Sequence, residues 1–277
     1  MTKRRITGIL FVAPAALVYL PLVLIPVLYS VGLSFFSWDG LRPMQWYGLG
    51  NYSALISDDV VHRAVLNNCL LVAISLFIQL PLAMAFAVAL AGSKRLLGVI
   101  RACMFVPYLL PTVVIALVWK LLFTAIDPEL LGSTTTSLPA IMVVICWRFI
   151  GFHMVLYLAG IAQIEPDLYA AARLDGANNW QCFHRITLPL LQPVIRVSAV
   201  LAVVGSMKFF DIVYIMTGGG PAHATELLAT HIYSSGIESQ LLGYASALGV
   251  LLMAIPFFGL LIGRTVLRRL TKEAAAS

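Results

Sequence analysis

From Ile6 to Trp38 no side chain carries a charge, and the same is true from Ala64 to Ser93. A helix needs about 20 apolar residues, each rising about 1.5 Å, to cross a hydrocarbon core about 30 Å thick. Both windows exceed that length, so the chain reads as a membrane protein before any motif is considered. Further uncharged windows run from Ala102 to Trp119, from Leu130 to Trp147 and on to Ile164, from Val197 to Met207, and from Leu241 to Gly263. They predict an all-α, polytopic fold with six spans, over about residues 8–33, 66–91, 100–123, 139–161, 194–216 and 242–264, in one transmembrane domain covering residues 1–277. Composition agrees: 61% of residues are hydrophobic and 11% charged, against about half and a quarter in soluble domains. Pro26, Pro81, Pro107, Pro111 and Pro256 are compatible with membrane helices when neighbouring groups re-satisfy the backbone. Lys3-Arg4-Arg5 ahead of the first apolar run resembles a signal peptide. The run is too long, and no small-residue cleavage site ends it, so it reads as a permanent helix.

Basic residues orient the spans. Lys3, Arg4 and Arg5 precede span one; Lys94, Arg95 and Arg101 lie between spans two and three. Arg173, Arg185 and Arg196 lie between spans four and five, and Arg264, Arg268, Arg269 and Lys272 follow span six. Thirteen of the 18 basic residues thus share one side. The opposite loops hold only Arg42 and Arg63, beside Asp39, Asp58, Asp59, Asp127, Glu129 and Glu226. The positive-inside rule makes the basic side cytoplasmic, with both termini inside. The net charge of +6 follows from this topology and calls for no nucleic-acid partner.

Absent motifs narrow the function. The four cysteines (Cys69, Cys103, Cys146, Cys182) show no paired spacing, which supports neither a disulfide framework nor a metal site. There is no phosphate-binding G-x-x-x-x-G-K-[ST] and no Gly-Lys dipeptide, so no P-loop ATPase is built in. The hydrolase motifs H-E-x-x-H and G-x-S-x-G are absent as well, and no catalytic constellation presents itself. The outer loops, at about 30, 15 and 25 residues, are too short for a folded binding domain. Six spans suit either a complete small channel or one half of a larger transporter.

The most polar long stretch, about residues 165–189, separates spans four and five. Pro166 suits the first position of a helix, and Asp167 lies in the first turn, where the helix dipole favours an anion. Leu168, Ala171, Ala172 and Asp175 share one helical face. Gly176 can supply the left-handed residue that ends this helix. Asn178 and Asn179 are good caps for a second short helix carrying Trp180, Phe183 and His184. Pro189 and Pro193 mark the entry to span five. Alanines on the first helix let a partner approach its backbone, whereas Trp180 and Phe183 are too large for the loop to bury alone. Asp175, near a helix C-terminus that disfavours anions, points to an outside partner or a cap on the second helix. The same pattern also suits an amphipathic loop packed on the protein's own inner surface.

The stretch "EPDLYAAARLDGANNWQCFHRITLPLLQP" resembles the cytoplasmic coupling loop of the membrane subunits of binding-protein-dependent ABC importers. That loop has the form E-A-A, then glycine, then I-x-L-P. Ala171, Ala172, Gly176, Ile186, Leu188 and Pro189 match it. Tyr169, Asp175, Ala177 and Phe183 match the maltose and glycerol-3-phosphate branch. "FFDIVYIMTGGGPAHATELLATHIY" followed by "GYASALGVLL" is similar to the fifth-helix end and outer loop of the same branch. The resemblance implies a permease subunit forming half of a translocation pore for a sugar or sugar derivative. Its implied partners are a second, different permease subunit, two ATP-binding subunits and an extracytoplasmic solute-binding protein, in a bacterial or archaeal cell membrane. ATP and magnesium would sit on the ATP-binding subunits, and this chain would bind no cofactor and catalyse nothing itself. Docking onto the ATP-binding subunit would fall to Asp167, Tyr169, Ala171, Ala172, Asp175, Gly176, Trp180, Phe183 and Pro189. Ala170 departs from the pattern, since the family usually has glutamate there. An importer of glycerol-3-phosphate or a glycerophosphodiester is the alternative within the family; a stand-alone secondary transporter or channel, or a membrane enzyme, are the readings outside it.

Charges inside the predicted spans are the remaining candidates. Lys120 lies near a span end and can snorkel outward. Arg148, midway along span four, is costly to bury and is expected to face the pore or a partner. Lys208 and Asp211 lie three residues apart on one expected helical face, either as an ion pair or, with Phe209, Phe210 and Tyr214, lining a polar route for sugar rings and hydroxyls. "TGGGPAHATE", residues 217–226, reads as a flexible outer loop near a docking surface or as plain turn chemistry.

Overall fold

A computed structural model describes residues 2–91 and 95–273. Lys94, one of the orienting cations, falls outside them. The chain opens with α1 (Thr2–Tyr19), which continues through a π-turn at Leu20–Leu24 into α2 (Ile25–Leu33). A two-stranded hairpin follows, β1 (Phe36–Ser37) against β2 (Gln45–Trp46), then α3 (Gly50–Ser57). Helix α4 (Asp59–Ile74) passes through a π-turn at Ser75–Gln79 into α5 (Leu80–Ala89). Next come α6 (Arg95–Leu109), α7 (Thr112–Ile126), α8 (Glu129–Gly132) and α9 (Ser137–Ile161). The loop region holds α10 (Pro166–Leu174), α11 (Asn179–Cys182), a π-turn at Phe183–Thr187 and α12 (Leu188–Leu190). The chain ends with α13 (Gln192–Met207), α14 (Asp211–Met216), α15 (Leu228–Tyr233), a π-turn at Ser234–Glu238 and α16 (Leu242–Glu273).

Four stretches are long and apolar enough to span a membrane: Phe11–Leu33, Asp59–Ala89, Ser137–Ile161 and Leu242–Gly259. Two more are bent pairs, Leu97–Leu109 with Thr112–Ile126 at 96° and Asn179–Leu190 with Gln192–Met207 at 68°. The predicted single span over 100–123 is therefore two helices. Pro111 lacks an N–H and disfavours helical geometry at Leu110, and the chain turns there. The span expected over 194–216 is also interrupted: α13 stops at Met207 and α14 starts at Asp211.

Three π-turns share one cause. Each ends two residues before a proline, at Leu24 before Pro26, Gln79 before Pro81 and Thr187 before Pro189. A proline inside a helix removes an N–H and pushes its ring toward the carbonyl four residues back. Widening the turn relieves this. The N–H groups of Ile25, Leu80 and Leu188 bond to the carbonyls of Leu20, Ser75 and Phe183, five residues back.

The chain divides into two compact units. The first comprises Met1–His62 and His231–Phe258. Here the Asn51 amide donates to the carbonyls of Ser34 (2.8 Å) and Phe36 (2.9 Å), fixing the hairpin to α3. Gly243 lets α16 approach the hairpin, because a Cβ there would lie 1.9 Å from the Phe36 carbonyl oxygen. Asp58 accepts from the Tyr244 hydroxyl and from the Val60 N–H (2.8 Å), with His231 Nε2 at 3.5 Å.

The second unit comprises Arg63–Thr230 and Gly259–Ser277. Its helices build two apolar cores. One joins α4, α7, α9 and α14 through Leu71, Ile115, Ile145 and Val213. The other joins α5, α9 and α13 through Met84, Met154, Tyr157 and Leu191. α6 lies directly on α9 at Gly151, where a Cβ would fall 1.9 Å from the Met104 carbonyl oxygen. Buried amides tie in the glycine-rich loop. Asn67 donates to the carbonyls of Ala224 (3.0 Å) and Glu226 (2.9 Å), and Asn68 accepts from the Leu228 N–H (3.0 Å). Residues 217–226 are thus turn chemistry rather than a flexible loop. Gly218 and Gly219 take positive φ, and buried Glu226 accepts from the Thr230 hydroxyl and pairs with His223 Nδ1 at 2.9 Å.

Candidate functional site

The loop between α9 and α13 is built almost entirely from its own backbone signals. Pro166 occupies the start of α10, and Asp167 its first turn. The helix ends at Gly176, φ +82°. The Gly176 N–H bonds to the Arg173 carbonyl (3.1 Å) and the Ala177 N–H to the Ala172 carbonyl (2.9 Å), the paired bonds of a Schellman end. Two residues on, Asn178 caps α11 in a reciprocal box: Gln181 N–H donates to Asn178 Oδ1, and Asn178 N–H to Gln181 Oε1, both at 2.8 Å. Across the base, the Tyr169 and Thr187 hydroxyls lie 2.9 Å apart. Two short helices, a left-handed glycine and a capping box give a knob with little freedom of its own.

Exposure is not confined to the one face read from the sequence: Ala170, Arg173 and Leu174 are exposed too. Leu168, Ala171 and Asp175 are exposed and Ala172 is half-buried. The Asp175 carboxylate makes no hydrogen bond or ion pair to any described residue, so it does not cap α11; Asn178 has that role. Trp180 is exposed and lies against His184 (ring centroids 4.1 Å) and Phe183. With Phe183 it rims an apolar groove of about 810 Å³ running between Leu80, Met84 and Val88 of α5 and Ile195 of α13. Leu174, 90% exposed in the last turn of α10, was not singled out from the sequence. An isolated leucine on the polar side of an amphipathic helix is the signal that could have found it.

The intramembrane charges find partners far away in sequence. Arg148 is buried, and its Nη2 donates to the Leu110 carbonyl (3.2 Å), the group freed where α6 and α7 bend apart. Asp211 is the opposite charge acting on it, its guanidinium carbon stands 5.4 Å from the Phe149 ring centre, and its Nε has no partner. Phe149 meets Phe209 edge-on at 5.4 Å and Tyr108 at 5.7 Å. Phe210 stacks on Tyr214 at 5.1 Å.

Among the described residues no ion pair joins Lys208 to Asp211. The expected shared face does not exist, because Lys208 caps the end of α13 and Asp211 opens α14. Each charge lies at the helix end whose dipole favours its sign. Lys120 does not merely snorkel: its Nζ donates to the Ile215 carbonyl (2.9 Å) near the end of α14. Arg101 donates likewise to the Leu90 carbonyl just past α5. Basic side chains thus close the carbonyl ends of broken or terminating helices, where bilayer offers no water to do so. Among the described residues no group of histidines, cysteines and carboxylates could hold a metal.

The family described as binding-protein-dependent transport system inner membrane component matches residues 79–272. The chain belongs to that family. It is the membrane subunit of an ABC importer and a multi-pass protein of the inner membrane. A probable ABC transporter permease, YurN of Bacillus subtilis, is 32% identical over 274 residues, covering 92% of this chain and 94% of its own. The lactose transport system permease LacF of Rhizobium radiobacter is 31% identical over 83% of each chain. The trehalose/maltose transport system permease MalF of Thermococcus litoralis is 30% identical over 88% of each. In fold, the permease is similar to a chain of a bacterial ABC transporter involved in importing the acidic polysaccharide alginate, with a TM-score of 0.79, 23% identity and 96% coverage of both chains. In this permease Ala170, Ala171 and Ala172 lie in α10, and Ala170 is exposed.

Proposed function

We propose that this permease forms half of the translocation pore of an ATP-driven importer for a sugar or sugar derivative delivered by an extracytoplasmic binding protein. The carrying observation is the knob at 165–189: its rigid frame presents Ala170 and Ala171 where a partner can reach the backbone. Relatives named for lactose and for trehalose/maltose transport support the sugar assignment. The chain acts as one transmembrane domain of six spans, counting each bent pair as one, with both termini and the knob on the cytoplasmic side. It pairs with a second, different permease and two ATP-binding subunits, which hold ATP and magnesium; the permease itself binds no cofactor and catalyses no reaction.

Closure of the ATP-binding subunits draws the two knobs together and opens the pore outward, and hydrolysis resets it. Asp167, Tyr169, Ala171, Ala172, Asp175, Gly176, Trp180, Phe183 and Pro189 form or frame the docking surface. Arg148, Lys208, Phe209, Asp211 and Tyr214, with Phe210, surround the break between α13 and α14. There, aromatic faces suit sugar rings and charged groups suit hydroxyls. A second reading within the same machinery, import of glycerol-3-phosphate or a glycerophosphodiester, is favoured by the unpartnered Arg148 Nε and the exposed Lys208.

The test is ATP hydrolysis by the assembled complex with its binding protein, against a panel of sugars and glycerol-3-phosphate. Stimulation by a sugar is expected. Stimulation by glycerol-3-phosphate alone replaces the sugar reading with the second one. Solute uptake by the permease without any ATP-binding subunit refutes both.

A further inference from the structure

The segment from Thr187 to Ser206 carries three buried hydroxyls, each bonded to a different element. Thr187, Ser198 and Ser206 are 6%, 0% and 1% exposed. Thr187 Oγ1 lies 2.9 Å from the Tyr169 hydroxyl of α10. Ser198 Oγ lies 2.7 Å from His153 Nδ1 of α9. Ser206 Oγ lies 3.0 Å from Ser75 Oγ in the π-turn joining α4 to α5, and the Ser206 carbonyl accepts from Asn68 (3.2 Å). A serine or threonine in an apolar helix more commonly bonds back to its own helix, four residues earlier. These three hydroxyls reach outward instead.

Their placement forms one seam. Leu191, Ser198, Ala202 and Ser206 follow at steps of seven, four and four, and all are buried, so they share one stripe of α13 and its entry. Facing them on α9 are His153, Tyr157 and Gly160, at steps of four and three. At Gly160 a Cβ would fall 2.6 Å from Leu191 Cδ2 and 2.9 Å from Val194 Cγ2, so the helices meet there without side-chain slack. One end of the seam is the base of the knob. The other is Met207, where α13 stops and the Lys208–Phe210 break begins.

We infer that Thr187, Ser198 and Ser206 are positioning residues for transport, a hydroxyl spine that binds the knob, α9 and the α4–α5 span to α13 and to the bent segment leading into it. Displacement of the knob then reaches the helix break as a rigid movement rather than being absorbed by sliding between helices. The inference rests on the docking role proposed for the knob.

The test uses the complete importer in lipid vesicles, with uptake counted per ATP hydrolysed and both normalised to assembled complex. Ser198→Ala and Ser206→Ala are expected to keep the ATP-binding subunit attached and hydrolysing. Uptake per ATP should fall by about three- to tenfold, the scale of one interhelical hydrogen bond in a membrane. Ser198→Thr, which keeps the hydroxyl, should restore the ratio. A permease that is merely less stable loses uptake and hydrolysis together, so an unchanged ratio in both alanine variants overturns the spine, as does failure of the threonine to rescue. An unmodified permease that does not retain the ATP-binding subunit through its knob overturns the docking role and the spine with it.

Discussion

Gly176 sits at φ +82° with nothing within 4 Å of the position a Cβ would take. Replacing it by valine therefore creates no collision, and the whole cost is conformational. An L-residue in the left-handed region costs about 1–2 kcal/mol, and a β-branched one lies at the upper end. That cost falls on the Schellman end of α10, whose two bonds define the bend, and reduces the population of the docked geometry by about 5- to 30-fold. The apolar cores of the second unit contain no loop residue between 165 and 189 beyond the partly buried Phe183, so membrane insertion and thermal unfolding should stay as they are. The assay is the affinity of the detergent-solubilised permease for its ATP-binding subunit. Gly176→Val should weaken it within that range, and Gly176→Asn, which tolerates positive φ, by less. A valine variant with unmodified affinity, or asparagine and valine variants weakened equally, would refute the conformational argument.

Other perturbations probe the rest of the molecule. Gly151→Ala places a methyl against the Met104 carbonyl and should lower thermal stability in detergent by about 1–3 kcal/mol, the usual cost of overpacking. Arg148→Met removes the donor to the freed Leu110 carbonyl, and loss of that bond should cost about 1–3 kcal/mol, read as a drop in unfolding midpoint. At Asp58, burial alone raises the carboxyl pKa, but hydrogen bonds from Tyr244 and the Val60 N–H and the nearby His231 outweigh it, and the net shift is downward from 3.8. A depressed pKa stabilises the folded state above the unfolded value and is lost as pH falls through the folded one. Unfolding midpoints should therefore drop as pH falls below about 4, and Asp58→Asn should flatten that part of the profile.

What could be read from the chain depended on how local each signal was. The knob was legible because its signals are local: Pro166 starts α10, Gly176 ends it and Asn178 caps α11, each within a few residues of the groups it serves. The apolar windows were legible for the same reason. The bend at Leu110 was not, since Pro14, Pro107 and Pro256 lie inside continuous helices and a proline alone does not separate a kink from a break. The interruption at Lys208–Phe210 contains neither glycine nor proline, so a helical face was assigned to Lys208 and Asp211 that the backbone does not keep. The roles of Arg148 and Lys120 depend on carbonyls 38 and 95 residues away, a distance over which periodicity carries no information.

The π-turns before Pro26, Pro81 and Pro189 have a consequence for helix phase. Each admits one residue more per turn than α-geometry, and one residue rotates everything beyond it by about 100° about the axis. The α4–α5 span is therefore two registers joined in series, and the stripe that α4 turns toward its neighbours does not continue in step along α5. A single-residue deletion within Ser75–Gln79 would leave composition and span length almost untouched. Return of the turn to α-geometry would keep Ala83, Met84 and Ala87 in the core they build with α9 and α13, but it would press the Pro81 ring against the carbonyl four residues back. A deletion at these turns is thus opposed by the proline rather than by phase, whereas an insertion beyond the residue each turn already absorbs would rotate the distal helix by about 100°.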